Sequence, residues 1–495
     1  MNKILENKFI QWTLIVLGVI SILILVVGSF FNRIGCDPAI ILVNMERIAE
    51  GYIPYKTLHL NYPPILFYSY ASFKWLLHIP YGCYPFYLAL HWLYAIGCAS
   101  CLYYISRKWG TNQSISLFVA WLFFIVTHWV QGNEILFEIP SLFWGLFAIC
   151  LFYKWEESCP AWQIIVGIVA CFSFFTKQFG AGFILLLLWL IITSKSTEKW
   201  KLIGFYLLGY SIPLLICFAC WGTDIYKSIL LNGYGTDVMD VYYGIDSSLS
   251  TKVLRMLNSI LYLSKRILPI IFVAVLLLPI IIKQHFKYRE LLLCFFAIGG
   301  FSLQFYFVYG GGHYLLYMIP WGILFVPILT SFPSRWYVRY IVIGGIVITT
   351  ALGVYSAFYN RVWKIYLHNG KSAYTNEWKM VKNVSDIVQD GETVFIPHFG
   401  LCPIYYTANL TPPLLAEIGF AMGPMELTVE KTIKCVSQAD YVIDFSSKTK
   451  EELYQGAESF FYNDSIRTYV HKFHKETVGK DIVIYHVKRP IIIEQ

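Results

Sequence analysis

The sequence predicts an all-α polytopic membrane domain of about eleven transmembrane helices, followed by a small α/β domain outside the membrane. Three observations predict it. Apolar residues make up 57% of the 495-residue chain and charged residues 14%, with a mean hydropathy of +0.57. A soluble protein of this size has nowhere to hide so much apolar surface. The apolar residues fall into runs close to the ~20 that cross a bilayer as helix. From about residue 360 the composition becomes that of an ordinary globular domain.

Taken in order, the spans are predicted near 10–30, 84–105, 113–130, 138–153, 162–176, 179–194, 202–221, 265–282, 290–308, 314–331 and 338–358. The first has no small-residue cleavage site after it and reads as a retained signal anchor. The stretch 162–194 is too long for one upright helix. It is divided at Thr176-Lys177-Gln178, because a lysine at mid-membrane is costly. Charge supports the scheme through the positive-inside rule. With the N-terminus cytoplasmic, the inner turns carry Arg107, Lys108, Lys154, Lys195, Lys199, Lys283, Lys287, Arg289, Arg335 and Arg339. The short outer turns 131–137 and 309–313 carry neither Lys nor Arg. An odd number of spans places the C-terminal domain outside.

The predicted domains are therefore a membrane domain, 1–359, and an extracytoplasmic α/β domain, 360–495. Two outer loops interrupt the first, 31–83 and 222–264. The 31–83 loop contains an amphipathic helix from Ala39 to Glu50, stopped by Gly51 and Pro54, and an interfacial stretch from Ile65 to Leu77. The 222–264 loop, rich in Tyr, Gly and Asp (Tyr234, Asp237, Asp240, Tyr242, Tyr243, Asp246), reads as a mobile polar flap. In the outer domain, strands are predicted at Thr393–Ile396, Tyr441–Phe445 and Asp481–His486. Helices are predicted at Glu377–Val388 and Lys450–Phe460.

Composition also excludes some functions. The net charge of +8 lies largely in turns between spans, so it reports topology and no nucleic-acid partner. Of the 12 cysteines, the Cys98/Cys101 and Cys217/Cys220 pairs lie inside spans without the polar flanks of a zinc or redox site. They, Cys150, Cys171 and Cys294 read as small apolar residues. Cys36, Cys83, Cys402 and Cys435 face outward, with nothing in the sequence to pair them. No metal and no cofactor is assigned. Sequons at Asn383, Asn409 and Asn463 occur at chance frequency, and no span contains GxxxG.

The residues able to do chemistry gather at one predicted face. Asp37 follows the first span, in Gly35-Cys36-Asp37-Pro38. It suits a general base and equally a helix N-terminus before proline. Glu134 sits in a short outer turn and Glu138 beside it, each a candidate acid or an ordinary loop carboxylate. Glu46 and Glu50 read better as solvated loop acids. Lys177 and His313, in Gly312-His313-Tyr314, break apolar stretches at the outer edge. They suit a lipid phosphate; the alternatives are a snorkelling lysine and a polar span end. Arg33, Lys56 and Lys74 are further phosphate candidates or surface charges. Tyr52, Tyr55, Tyr62, Tyr68 and Tyr70 suit a sugar, a lipid groove or interfacial anchoring.

Residues Asp37 … Ala49-Glu50-Gly51-Tyr52-Ile53-Pro54-Tyr55-Lys56 … Tyr62-Pro63-Pro64 resemble the first outer loop of the dolichyl-phosphate-mannose protein mannosyltransferase-like superfamily. Its members are integral-membrane glycosyltransferases of the GT-C type, including bacterial aminoarabinose transferases. The Asn133-Glu134 turn, the Thr176-Lys177-Gln178 break and His313-Tyr314 … Pro320 resemble the same group. Two features depart from it. Pro38 follows Asp37 where many members have Glu, and Thr57 stands where many relatives have an acid after the Tyr-Lys pair.

The resemblance implies a membrane glycosyltransferase that moves a sugar from a polyprenyl-phosphate or dolichyl-phosphate donor to an extracytoplasmic acceptor with inversion. Asp37 is then the general base and Glu134 a second catalytic acid. Lys177, His313, Lys56, Tyr55, Tyr62 and Arg33 are then substrate or lipid-phosphate ligands. The implied partners are the donor, a lipid, glycan or protein acceptor, and membrane lipids. The expected location is the bacterial inner membrane. The alternative from another class is a transporter or flippase of lipid-linked sugars, which needs charged residues through the bilayer midplane.

Overall fold

The structure is a computed structural model. It describes residues 8–30, 36–127 apart from 57, 59 and 61, 134–226, 229, 248–283, 287–307, 312–331, 336–355, 357–359, 384–389, 391–396, 403–410, 429–445, 464–478 and 482–487. The chain forms two compact units. The first comprises residues 1–30, 88–217 and 249–370, and the second 31–87, 218–248 and 371–495.

The first unit is helical. Its elements are α1 (Lys8–Phe30), most of α4 (Tyr84–Lys108), α5 (Gln113–Thr127), α6 (Glu138–Trp155), α7 (Gln163–Thr176), α8 (Gly182–Ile192), most of α9 (Lys199–Trp221), α10 (Leu249–Lys283), α11 (Tyr288–Ser302), α12 (Ile319–Ile323), α13 (Phe325–Ser331) and α14 (Trp336–Val354). Three described helices are long and apolar enough to cross a membrane: Tyr84–Lys108, Lys199–Trp221 and Tyr340–Tyr359. Shorter apolar helices run Gln11–Leu23, Gln113–Thr127, Pro160–Thr176, Gln178–Ile192 and Ile319–Ser331. Leu207, Leu208, Leu215 and Ile216 of α9 are exposed, as suits a helix whose neighbour is hydrocarbon.

Several predicted spans change shape. The division of 162–194 is present, with α7 ending at Thr176 and α8 beginning at Gly182. The stretch 314–331 is not one helix: a tight turn over Gly312–Tyr317 leads into the short α12 and α13. Pro320 and Pro327 lie in the first turns of α12 and α13, where their missing N–H is tolerated but no helix can run into them from the preceding chain. The expected flap is shorter than predicted, because residues 249–264 form the first half of α10. Its Tyr234, Asp237, Asp240, Tyr242, Tyr243 and Asp246 lie outside the described residues.

The turns at one end of this unit are tied together. Arg289 donates from Nε to Thr193 Oγ1 at 2.9 Å and from Nη2 to Leu190 O at 2.9 Å, and it pairs with Glu156 Oε1 at 3.2 Å. Lys287 Nζ donates to Trp109 O and Ser331 Oγ. The turns after α4, α6, α8 and α13 and the one before α11 therefore share one end. The turns entering α6 and joining α7 to α8 belong by helix direction to the other. This is the alternation that the charge count requires.

Helices α7 and α9 touch backbone to backbone. A Cβ on Gly167 would lie 2.1 Å from Tyr206 O, and one on Gly209 would lie 2.0 Å from Ile164 O. The small-residue packing of membrane helices is thus present across two helices, without a GxxxG in either. Gly209→Val is expected to lower stability by about 1–3 kcal/mol, the cost of overpacking. Thermal unfolding in detergent measures it.

The second unit is mixed. It contains α2 (Cys36–Ala49), α3 (Ile65–Leu77), the first turn of α4, the last turn of α9, α15 (Pro403–Thr407), α16 (Val429–Gln438) and α17 (Asp464–Val470). Four strands form one sheet, β1 (Val394–Phe395), β2 (Tyr441–Phe445), β3 (His474–Val478) and β4 (Ile482–His486), in the order β1-β2-β4-β3. β1 is parallel to β2, and the other pairs are antiparallel. Phe395, Val436, Ala439, Val442, Val470, Val483 and Tyr485 form its core. β3 was not predicted: His474-Lys475-Glu476-Thr477-Val478 is a polar edge strand with no apolar alternation. Residues 450–460 and 377–383, expected as helix, lie outside the described residues.

Candidate active site

In the first unit, the break between α7 and α8 is built around Lys177. Its backbone is extended, at φ −151° and ψ 136°. Its N–H still bonds Ser173 O at 3.1 Å, and its carbonyl accepts from Gly180 N at 2.8 Å. A lysine in an apolar run thus ends the helix and turns its side chain inward. That side chain is only 6% exposed, and Nζ lies 3.4 Å from Glu138 Oε1. The alternative of a snorkelling lysine is not seen; the ammonium is buried against a carboxylate instead.

Glu138 opens α6 and is 2% exposed at its side chain. His313 Nε2 lies 4.0 Å from the same Oε1. One carboxylate oxygen therefore faces both Lys177 and His313, the two basic side chains that the sequence singled out, and that oxygen makes no hydrogen bond of good geometry. Aromatic faces complete the enclosure. Lys177 Nζ stands 5.2 Å from the Phe137 ring centre and 5.5 Å from that of Tyr314, and His313 packs on Tyr314 at 4.4 Å. A cation over such rings is held electrostatically. Lys177 and His313 are thus brought together around one carboxylate oxygen.

Sequence reasoning underrated Glu138. The available signal was an acid at the first turn of an apolar helix, on the edge that also carries an unexplained lysine. A carboxylate is stable at a helix N-terminus, so the position did not look costly. Glu134 lies in the bend just before α6 and is half-buried.

Asp37 lies in the second unit, within the first turn of α2, and is half-buried. Of the other predicted ligands, Tyr55 and Tyr62 are joined, the Tyr55 hydroxyl donating to Tyr62 O at 2.7 Å. Tyr55 and Tyr68 both pack on Trp221, with ring centres 6.0 and 5.9 Å away. Lys56 is exposed, and Arg33 lies outside the described residues.

The expectation for Glu46 is overturned. It is not a solvated loop acid; it is fully buried and paired with Lys74 of α3. Burial pushes its carboxyl above the ordinary value of 4.5, while Lys74 and the Gly82 N–H pull it back down. Burial and the neighbouring Glu46 charge push the Tyr81 phenol up as well. Next to it, Arg47 donates to Leu410 O at 2.9 Å and pairs with Glu50 at 2.7 Å. Helix α2 is thereby tied to the segment after α15.

An acid raised by burial is favoured in the folded state when protonated. That contribution is complete below 4.5 and is lost as pH rises through the raised value. Lys74→Met removes the counter-charge. It is expected to cost about 3–5 kcal/mol at neutral pH, with the loss shrinking as pH falls toward 5. Melting temperatures of the variant and the parent across pH 5–8 check the sign.

Among the described residues, no group of three or more His, Cys, Asp or Glu is placed to hold a metal ion. Among the described residues, Cys83, Cys98, Cys101, Cys150, Cys171, Cys217 and Cys294 form no disulfide.

Apolar helices joined to a mixed unit, with buried charges at one helix end, define a polytopic integral-membrane protein. No protein-family model matches the chain, and no curated protein sequence matches it. Solved structures do. The fold is similar to ArnT from Cupriavidus metallidurans in the apo state, at 12% identity and a TM-score of 0.57, over 97% of this chain and 98% of that one. ArnT bound to undecaprenyl phosphate gives 12% identity and 0.54, over 96% and 97%. The archaeal oligosaccharyltransferase AglB from Archaeoglobus fulgidus, in complex with an inhibitory peptide and a dolichol-phosphate, gives 12% and 0.52, over 95% of this chain and 73% of that one. The chain has the GT-C fold of these proteins, as the first-loop resemblance implied.

Proposed function

We propose that this protein is a membrane glycosyltransferase that moves a sugar from a polyprenyl-phosphate donor to an extracytoplasmic acceptor. The observation that carries this reading is the fold, shared along nearly the whole length with a structure bound to undecaprenyl phosphate. The buried Lys177, Glu138 and His313 cluster supports it, because a phosphate leaving from lipid needs cations in a water-poor place.

In this mechanism, Asp37 accepts the proton of the acceptor hydroxyl. The oxygen attacks the anomeric carbon from the face opposite the phosphate. The bond from that carbon to the phosphate oxygen breaks, with inversion, and the lipid phosphate leaves with the electron pair. Lys177 and His313 offset the charge that develops on it, and Glu138 keeps both in position between turnovers. Lys56, Tyr55, Tyr62 and Arg33 are further donor-binding groups, and Glu134 is a second acid. The membrane is the bacterial inner membrane, with the N-terminus cytoplasmic.

Mass spectrometry of cell-envelope glycolipids and glycans, with and without the gene, tests the reading. A sugar modification that disappears with the gene, and returns when purified protein is given polyprenyl-phosphate sugars, supports it. An unchanged envelope together with no transfer in vitro removes it.

A further inference from the structure

Helices α6 and α7 are locked by a pair of serines that have no part in the chemistry proposed above. Ser141 Oγ donates to Ser173 O at 2.8 Å, and Ser173 Oγ donates to Ser141 O at 2.7 Å. Both serines are fully buried. Each hydroxyl satisfies the other helix's backbone, so the two bonds fix the axial register of the helices as well as their separation. Serine hydroxyls inside a helix usually bond their own preceding turn; here they cross.

Position in the chain gives the pair its meaning. Ser141 is three residues after Glu138, on the same face of α6, and Ser173 is four before Lys177, the extended residue that ends α7. The Ser173 carbonyl is the common point. It accepts the Ser141 hydroxyl at 2.8 Å and also the Lys177 N–H at 3.1 Å. The chain then folds back over the same residue: a Cβ on Gly180 would lie 2.3 Å from Ser173 O and 2.5 Å from its Oγ. Gly180 N returns to Lys177 O at 2.8 Å. The Ser141 amide bonds Phe137 O at 3.0 Å, and Phe137 supplies a ring facing Lys177 Nζ. Both ends of the ion pair are therefore referred to one serine couple.

We infer that Ser141 and Ser173 are positioning residues, which set the place of the Lys177 ammonium against Glu138 and so against the donor phosphate. This rests on the glycosyltransferase reading. Neither serine touches substrate. Misplacement of a group by about 1 Å can cost about 100-fold in rate. A positioning role should therefore appear in kcat and leave sugar-donor KM nearly unchanged.

The test compares Ser141→Ala with Thr111→Val in the full-length protein. Thr111 is equally buried in a hydroxyl network, bonded to Ser106 and Ser116 at 2.8 and 2.9 Å, and it lies at the opposite helix end. Two readouts are taken: steady-state transfer, and hydrogen exchange of the peptide covering residues 174–181. Ser141→Ala is expected to lower kcat about 10- to 100-fold, with KM within about threefold, and to speed exchange at 177–181. Those residues are far from it in sequence. Thr111→Val is expected to do neither, at a similar loss of melting temperature. Ser141→Thr, which keeps the donor, restores most of the rate.

Equal kcat losses in Ser141→Ala and Thr111→Val overturn the inference, and so does unchanged exchange at 177–181 in Ser141→Ala. A parent protein without transferase activity removes the glycosyltransferase reading instead, while the exchange result still decides whether the serines hold the Lys177 turn.

Discussion

Asp37→Asn is expected to abolish sugar transfer, by about 10³-fold or more in kcat, while expression and donor binding persist. General-base catalysis by a positioned carboxylate contributes about 10²–10⁴-fold, and an amide of the same shape accepts no proton. The structural cost is small. Asp37 sits in the first turn of α2 and is half-buried. Losing one negative charge near a helix N-terminus costs about 0.3–1 kcal/mol. A fall in activity far beyond any fall in stability therefore isolates the chemistry. Two measurements make the case: transfer from a polyprenyl-phosphate sugar, and equilibrium binding of the lipid phosphate alone. Full turnover by the Asn variant would remove the base assignment.

What the sequence revealed, and what it hid, follows from the range of the interactions. The helix break at Thr176-Lys177-Gln178 was legible, because a lysine inside an apolar run has only a few physical solutions. The stretch Ile65–Leu77 was legible in its bounds, though only as an interfacial segment and not as the helix α3 that it forms. Strand β2 was legible as well, a run of β-formers before a polar stretch. The partner of Lys177 was not legible. Glu138 is remote in the chain, and nothing local marks a carboxylate as buried. Glu46 misled for the same reason: beside Arg47 and Glu50 it looks like a solvated face, and only Lys74 from another helix changes that. The second unit was hidden as a unit, since it is assembled from three separated stretches of chain.

The Lys177 and Glu138 pair gives the other large prediction, and it separates structure from function. Lys177→Met leaves a carboxylate that is only 2% exposed without its nearest cation. Breaking a buried pair from one side costs about 3–5 kcal/mol. The variant should unfold at a much lower temperature and lose transfer by about 100-fold or more. Its inactivity alone would prove little. The double variant Lys177→Met/Glu138→Leu removes both charges, and replacing a buried pair with apolar residues of similar volume is often neutral or stabilising. Stability should therefore return while activity does not, because under the proposed mechanism the donor phosphate then lacks a cation. Lys177→Arg is expected to be poor as well, since the bulkier guanidinium overpacks a site in which the lysine side chain is only 6% exposed. Melting temperature, donor affinity and transfer rate for the three variants settle it. A stable double variant with parental activity would make the pair a structural strut and move phosphate binding elsewhere.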